Sequence, residues 1–153
     1  MKRPRVLLAD DHILVLEGIR KLIEGEVDVV GAVEDGQAVL DAAHELRPDV
    51  IVLDISMPLV NGVEAARRLR KTLPGAKLIF LTMHGDPAYV AEALRLGASG
   101  YVLKSSASSE LLEAIRQALK GRTYLTPLVK TPSARPRIRK RAEGSTGRQR
   151  KVR

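Results

Sequence analysis

The sequence predicts an α/β fold, a doubly wound parallel sheet of five strands, and three observations carry that expectation. Five short aliphatic runs occur before residue 122, each followed by an amphipathic stretch of helical length. The runs are nearly continuous in hydrophobicity, as expected of parallel strands covered on both faces. The junctions between runs and stretches carry helix-capping residues, prolines and glycines. Alternating β and α units of this kind favour an open sheet with a right-handed crossover at each step.

The elements follow in order. Val6–Ala9 is the first strand, ended by Asp10-Asp11, and Ile13–Glu24 is the helix that either acid could cap. Val29–Val33 is the second strand. Gln37–Leu46 is the second helix, ended by Pro48, whose ring disfavours helical geometry in the residue before it. Val50–Asp54 is the third strand; Asn61-Gly62 opens the helix Val63–Thr72, and Pro74-Gly75 stops it. Leu78–Leu81 runs into Thr82 as the fourth strand. Asp86 caps and Pro87 opens the helix Ala88–Leu96, which Gly97 stops. Gly100–Leu103 is the fifth strand and ends at Lys104, after which Ser108 opens Ser109–Lys120 and Gly121 stops it.

Composition narrows the functional classes. The chain has 153 residues, 44% hydrophobic but only 3% aromatic, so one domain with an aliphatic core is expected. There is no cysteine, which excludes disulfides, thiol catalysis and cysteine-ligated zinc or iron–sulfur sites. No apolar run approaches the ~20 residues that span a bilayer, and the start Met1-Lys2-Arg3-Pro4-Arg5 lacks a signal-peptide core. A cytoplasmic location with no membrane partner is the expectation. The net charge of +8 is unevenly spread: residues 1–129 carry about −1 and residues 130–153 about +9.

In doubly wound sheets the site lies at the carboxyl ends of the strands. Asp10, Asp11, Asp54, Thr82 and Lys104 all fall there. Three carboxylates crowded together repel one another and call for a cation, and a compact hard ion such as Mg²⁺ takes oxygen ligands alongside a phosphate. Lys104 would offer a fixed positive charge, and Thr82 a hydrogen bond, to phosphoryl oxygens.

The string Asp54-Ile55-Ser56-Met57-Pro58-Leu59-Val60-Asn61-Gly62, with Asp10-Asp11, Leu81-Thr82 and Tyr101-Val102-Leu103-Lys104, resembles the receiver domain of two-component response regulators. The resemblance covers about residues 4–125. Ala98-Ser99-Gly100-Tyr101-Val102-Leu103-Lys104 and Leu81-Thr82-Met83-His84 are similar to the NarL/FixJ branch, whose members usually carry a LuxR-type helix-turn-helix. It implies a flavodoxin-like (βα)5 sheet of order 2-1-3-4-5, with the receiver over residues 1–125. Asp54 would accept a phosphoryl group from a histidine kinase, and the chain would be no enzyme beyond self-phosphorylation and dephosphorylation. Asp11, Asp54 and the Ser56 backbone carbonyl would bind Mg²⁺ directly, and Asp10 partly through water. Lys104 would pair with the phosphoryl group, and Thr82 and Tyr101 would form the switch. A homodimer through Ala88–Leu96, Gly100–Leu103 and Ser109–Lys120 is implied as a further partner. Two positions depart from the common pattern: Ser105 follows Lys104 where proline is frequent, and Met83 is bulkier than the usual alanine.

Each residue has a plainer reading. Asp10, Asp11 and Asp54 could be helix caps, Lys104 a solvated strand-end cation, and Tyr101 a half-buried core ring. His12, His44 and His84 form no ligand spacing, although His84 could tune water access. A stand-alone receiver acting through protein contacts, and a Mg²⁺-dependent phosphatase of the haloacid-dehalogenase type, are the alternatives. The latter needs a second acid where Ser56 stands. Residues 126–153 read as a basic, disordered linker, and Thr146-Gly147-Arg148-Gln149-Arg150-Lys151-Val152 resembles the opening of a LuxR-type domain. DNA would then be met only through a domain that this sequence does not contain, since nothing aromatic interleaves the tail's cations.

Overall fold

The computed structural model describes residues 2–127. Six parallel strands form one sheet: β1 (Arg5–Ala9), β2 (Asp28–Val33), β3 (Val50–Leu53), β4 (Lys77–Thr82), β5 (Gly100–Leu103) and β6 (Tyr124–Leu125), in the order β2-β1-β3-β4-β5-β6. Five α-helices alternate with them: α1 (Ile13–Ile23), α2 (Gly36–Leu46), α3 (Gly62–Thr72), α4 (Pro87–Arg95) and α5 (Ala107–Leu119). The expected doubly wound order 2-1-3-4-5 is present, extended by one short strand.

Both faces of the sheet are covered, which is why the strands read as apolar runs. On one face α1 and α5 bury Leu16, Ile19, Ile23, Leu111 and Ile115 against Val6, Leu8, Val52 and Leu81. On the other, α2, α3 and α4 bury Val39, Ala43, Ala66, Leu69 and Val90 against Leu7, Ile51, Leu53 and Phe80. Phe80 is the chain's single phenylalanine, so the core is held almost wholly by aliphatic burial.

The helix starts follow from short polar side chains. Asn61 Oδ1 accepts from Glu64 N at 2.9 Å, and Asp86 Oδ1 accepts from Ala88 N at 2.8 Å with Pro87 behind it. Asp35 caps α2 in the same way, accepting from Ala38 N at 2.7 Å. α2 ends with Arg47 in the left-handed region (φ 51°), immediately before Pro48. Gly97 and Gly121 take the same conformation after α4 and α5, at φ 83° and 80°.

The last helix begins earlier than expected. A single 3₁₀ turn, Lys104–Ser106, feeds directly into α5 at Ala107, so Ser108 lies inside the helix rather than opening it. After α5 the chain turns at Gly121 and comes back along the outer edge of β5, pairing Tyr124 with Gly100 and Leu125 with Tyr101. This strand covers the β5 edge at those two residues. The basic tail expected over residues 126–153 falls, from residue 128 onward, outside the described residues.

Candidate functional site

Four strands deliver polar residues to the carboxyl edge of the sheet. β1 runs into Asp10 and β3 into Asp54; β4 ends on Thr82, and β5 is followed by Lys104. Parallel registration makes this a cluster: Ala9 pairs with Leu53 and Thr82 with Leu103, while Leu53 lies opposite Phe80, so β1 and β3 end level and β4 and β5 end level two residues further on.

The centre is an ion-pair triangle. Lys104 Nζ lies 2.6 Å from Asp10 Oδ2 and 2.9 Å from Asp54 Oδ2. Asp10 and Asp54 are 1% and 5% exposed, so the carboxylates face each other in a place where water cannot screen them. Burial works against the charged form of Lys104, but hydrogen bonds to Asp10 and Asp54 and their negative charges outweigh it, and its pKa is raised. The other Asp54 oxygen, Oδ1, is buried and has no hydrogen-bond donor among the described residues. One carboxylate oxygen is thus anchored and the other is left open.

Asp11 stands beside this triangle at the mouth of the site. His12 is drawn in too, its Nδ1 lying 3.0 Å from Asp11 Oδ1 and 3.3 Å from Asp10 Oδ1. Asp10 Oδ1 also accepts from the His12 backbone N–H at 3.0 Å, which fixes the entry into α1. Among the described residues the cluster of potential ligand atoms is Asp10, Asp11 and His12, all within 4.8 Å of one another. Asp54 is not in that trio. Two carboxylates, together with the open Asp54 Oδ1, nonetheless form the oxygen set that a hard cation needs, so these residues fit Mg²⁺.

The rim is held by hydrogen bonds between loops. Ser56 Oγ lies 3.0 Å from His84 Nε2, joining the segment after β3 to the segment after β4. Thr82, fully buried, accepts from His84 N at 3.3 Å. Tyr101 is also fully buried, and its hydroxyl donates to the His84 carbonyl. Burial, then the charges of Asp86, Tyr89 and Asp54, raise the Tyr101 pKa. Thr82 and Tyr101 therefore converge on the two backbone groups of one residue, His84.

Two glycines shape the floor. A Cβ on Gly62 would stand 1.9 Å from the Asp54 carbonyl oxygen, and one on Gly36 1.6 Å from the Val60 carbonyl oxygen. The loop between β3 and α3 is thereby pressed between α2 and the backbone of Asp54. Within it Leu59 has φ 68° and is 81% exposed. A cleft next to the site runs between α3 and α4, where Arg67 bridges Glu64 and Glu92.

The expected residues Asp10, Asp54 and Lys104 come into direct contact, with Asp11, Ser56 and Thr82 around them. His12 as a carboxylate partner, and Gly36 as a packing contact, were not singled out by the sequence. Only the position of His12 directly after the paired acids could have hinted at its part.

Residues 6–116 match the response regulator receiver domain. The chain belongs to the response regulator receiver family. It is 40% identical over 127 residues to the transcriptional regulatory protein DegU of Brevibacillus brevis, covering 82% of this chain and 54% of that protein. A solved two-component response regulator of the LuxR family from Aurantimonas is similar with a TM-score of 0.80 and 38% identity, over 84% of this chain and 93% of the other. The isolated receiver domain of RcsB from Salmonella enterica serovar Typhimurium, in the presence of the phosphomimetic BeF3⁻, is similar with a TM-score of 0.78 and 34% identity, over 84% and 96%. The branch read from Ala98–Lys104 agrees with these relatives. The chain spans about half the length of the curated relatives it matches. Among the described residues no helix is long and apolar enough to cross a membrane.

Proposed function

We propose that this receiver accepts a phosphoryl group on Asp54 from a histidine kinase and uses it to control a transcriptional output. The observation that carries the proposal is the asymmetry of Asp54, with Oδ2 anchored by Lys104 and Oδ1 buried and open. In the transfer an Asp54 oxygen bonds to phosphorus as the bond to the donor's nitrogen breaks, and the donor imidazole keeps that electron pair. The acyl phosphate is later hydrolysed by water, which restores the carboxylate.

A carboxylate approaching a phosphoryl group meets like charge, and the site has to offset it. Lys104 supplies one positive charge already in position, held by two buried partners. Asp10, Asp11, Asp54 and the Ser56 carbonyl would hold Mg²⁺, which when bound neutralises phosphoryl oxygens and aligns the reacting groups. His12 would release its hold on Asp11 as that carboxylate turns to the cation. Thr82 gains an acceptor only when a phosphoryl oxygen arrives. Its hydroxyl touches the His84 N–H and Tyr101 holds the His84 carbonyl, so the arrival biases one segment from both sides.

Downstream, the response would pass to a second copy of the domain or to DNA through an output domain, as the names of the relatives support. The β5 edge is partly covered by β6, so pairing across that end would use the helices α4 and α5 more than the strand. The decisive experiment is incubation with Mg²⁺ and acetyl phosphate followed by intact-mass measurement. One added phosphoryl mass, absent in Asp54→Ala, is expected. No gain, or a gain that persists in Asp54→Ala, overturns the proposal.

A further inference from the structure

The amide that precedes Lys104 is held by a residue far from the acidic cluster in sequence. Leu103 N–H donates to Thr126 Oγ1 at 3.0 Å, and Thr126 N–H donates in turn to the Tyr101 carbonyl at 2.9 Å. Thr126 is fully buried, one of only four buried polar or charged residues among the described ones, and the other three are Asp10, Asp54 and Thr82. β6 pairs with β5 only as far as Leu125 opposite Tyr101. At the next step a side-chain hydroxyl replaces the backbone acceptor that a longer strand would have provided.

The consequence falls on the lysine. Leu103 is extended (φ −77°, ψ 141°), and the 3₁₀ turn starts at Lys104, so this peptide is where the chain changes direction. On its inner side β5 is fixed by β4, with Leu103 opposite Thr82. On its outer side Thr126 fixes it. We infer that Thr126 is a positioning residue for phosphoryl binding: by fixing Leu103 it sets the direction in which the Lys104 ammonium reaches Asp54. The inference rests on the reading of Asp54 as phosphoacceptor. It also couples the phosphoryl site, through one hydroxyl, to the chain segment joined at Pro127.

Replacing Thr126 by valine keeps the shape and removes the acceptor, and it leaves the backbone bond to Tyr101 in place. Replacing it by serine keeps the acceptor. The full ¹⁵N-labelled chain is titrated first with Mg²⁺ and then with beryllofluoride in saturating Mg²⁺, and amide shifts give both affinities. Thr126→Val is expected to weaken beryllofluoride binding about three- to tenfold, the worth of one buried hydrogen bond. Its Mg²⁺ affinity does not fall, because the lysine is no ligand of the cation, and Thr126→Ser binds like the wild type. Loosening of the fold as a whole would lower both affinities together, so a parallel loss overturns the inference. Unchanged beryllofluoride affinity in Thr126→Val, or a serine variant as weak as the valine one, overturns it as well. A wild-type chain that binds no beryllofluoride overturns the phosphoacceptor reading itself, and the role of Thr126 with it.

Discussion

Lys104 Nζ and Asp54 Oδ2 lie 2.9 Å apart at the ends of two strands that are not neighbours, with β4 between them. The lysine spans that strand to reach both Asp54 and Asp10. Removing it leaves two buried carboxylates facing each other without a counter-charge. Lys104→Met is therefore expected to destabilise the fold at neutral pH by about 3 kcal/mol, the lower end for a broken buried pair. Asp54→Asn should cost far less, because Lys104 keeps Asp10 at 2.6 Å. Urea unfolding of the three proteins at one pH checks the order.

The same contact sets an alkaline limit. The Lys104 pKa is raised above its ordinary 10.5, burial opposing the shift and the two carboxylates driving it. The stabilisation is fully present below pH 10.5 and is lost as pH rises through the higher folded value. Tyr101, whose pKa is raised chiefly by burial, has the same sign: its neutral form is favoured in the fold. Stability should be level from neutral pH into mild alkali, begin to fall above pH 10.0 through Tyr101 and fall further above 10.5 through Lys104. Urea midpoints followed from pH ~8 to ~11.5 should lose part of that fall in Tyr101→Phe.

Mg²⁺ should stabilise the wild type with the logarithm of its concentration once that exceeds the dissociation constant, by roughly 2.7 kcal/mol at a hundredfold excess. Chelation removes that increment. Asp11→Asn should abolish most of it, whereas His12→Ala should enlarge it at a given Mg²⁺ concentration, because the imidazole contacts both Asp10 and Asp11. Melting temperatures with and without the ion separate these outcomes.

Two positions at the β3–α3 junction should respond in opposite ways. Gly62→Ala places a methyl 1.9 Å from the Asp54 carbonyl, so backbone must move, at a cost of about 3 kcal/mol and with displacement of Asp54. Leu59 holds a left-handed conformation with its side chain in solvent, and Leu59→Gly should relieve about 1 kcal/mol of strain. Thermal unfolding of both variants tests the pair.

The strands and most helix starts were legible because burial on both faces and side-chain caps write themselves into local sequence. Asn61 and Asp86 cap as their positions suggest, and Asp10, Asp54, Thr82 and Lys104 end the strands as expected. Strand order came only with the family resemblance, since pairing is a non-local property. β6 was not legible: two residues cannot display a period, and the prolines nearby read as a linker. The start of α5 is not legible because Ser106, which has no side-chain cap bond, and Ser108 look alike as caps. The contact of His12 with two acids depends on the turn into α1, which no spacing rule encodes.

The return of the chain along β5 also decides from which end of the domain anything attached would emerge. A reporter fused after Gly121 would project from the amino ends of the strands, remote from Asp54. Fused after Pro127, only six residues later, it would emerge beside Leu103 at the rim that the proposed phosphodonor would approach. Bulk attached at the second point should compete with large phosphodonors and spare small ones, which makes the junction a means of setting which donors the domain accepts.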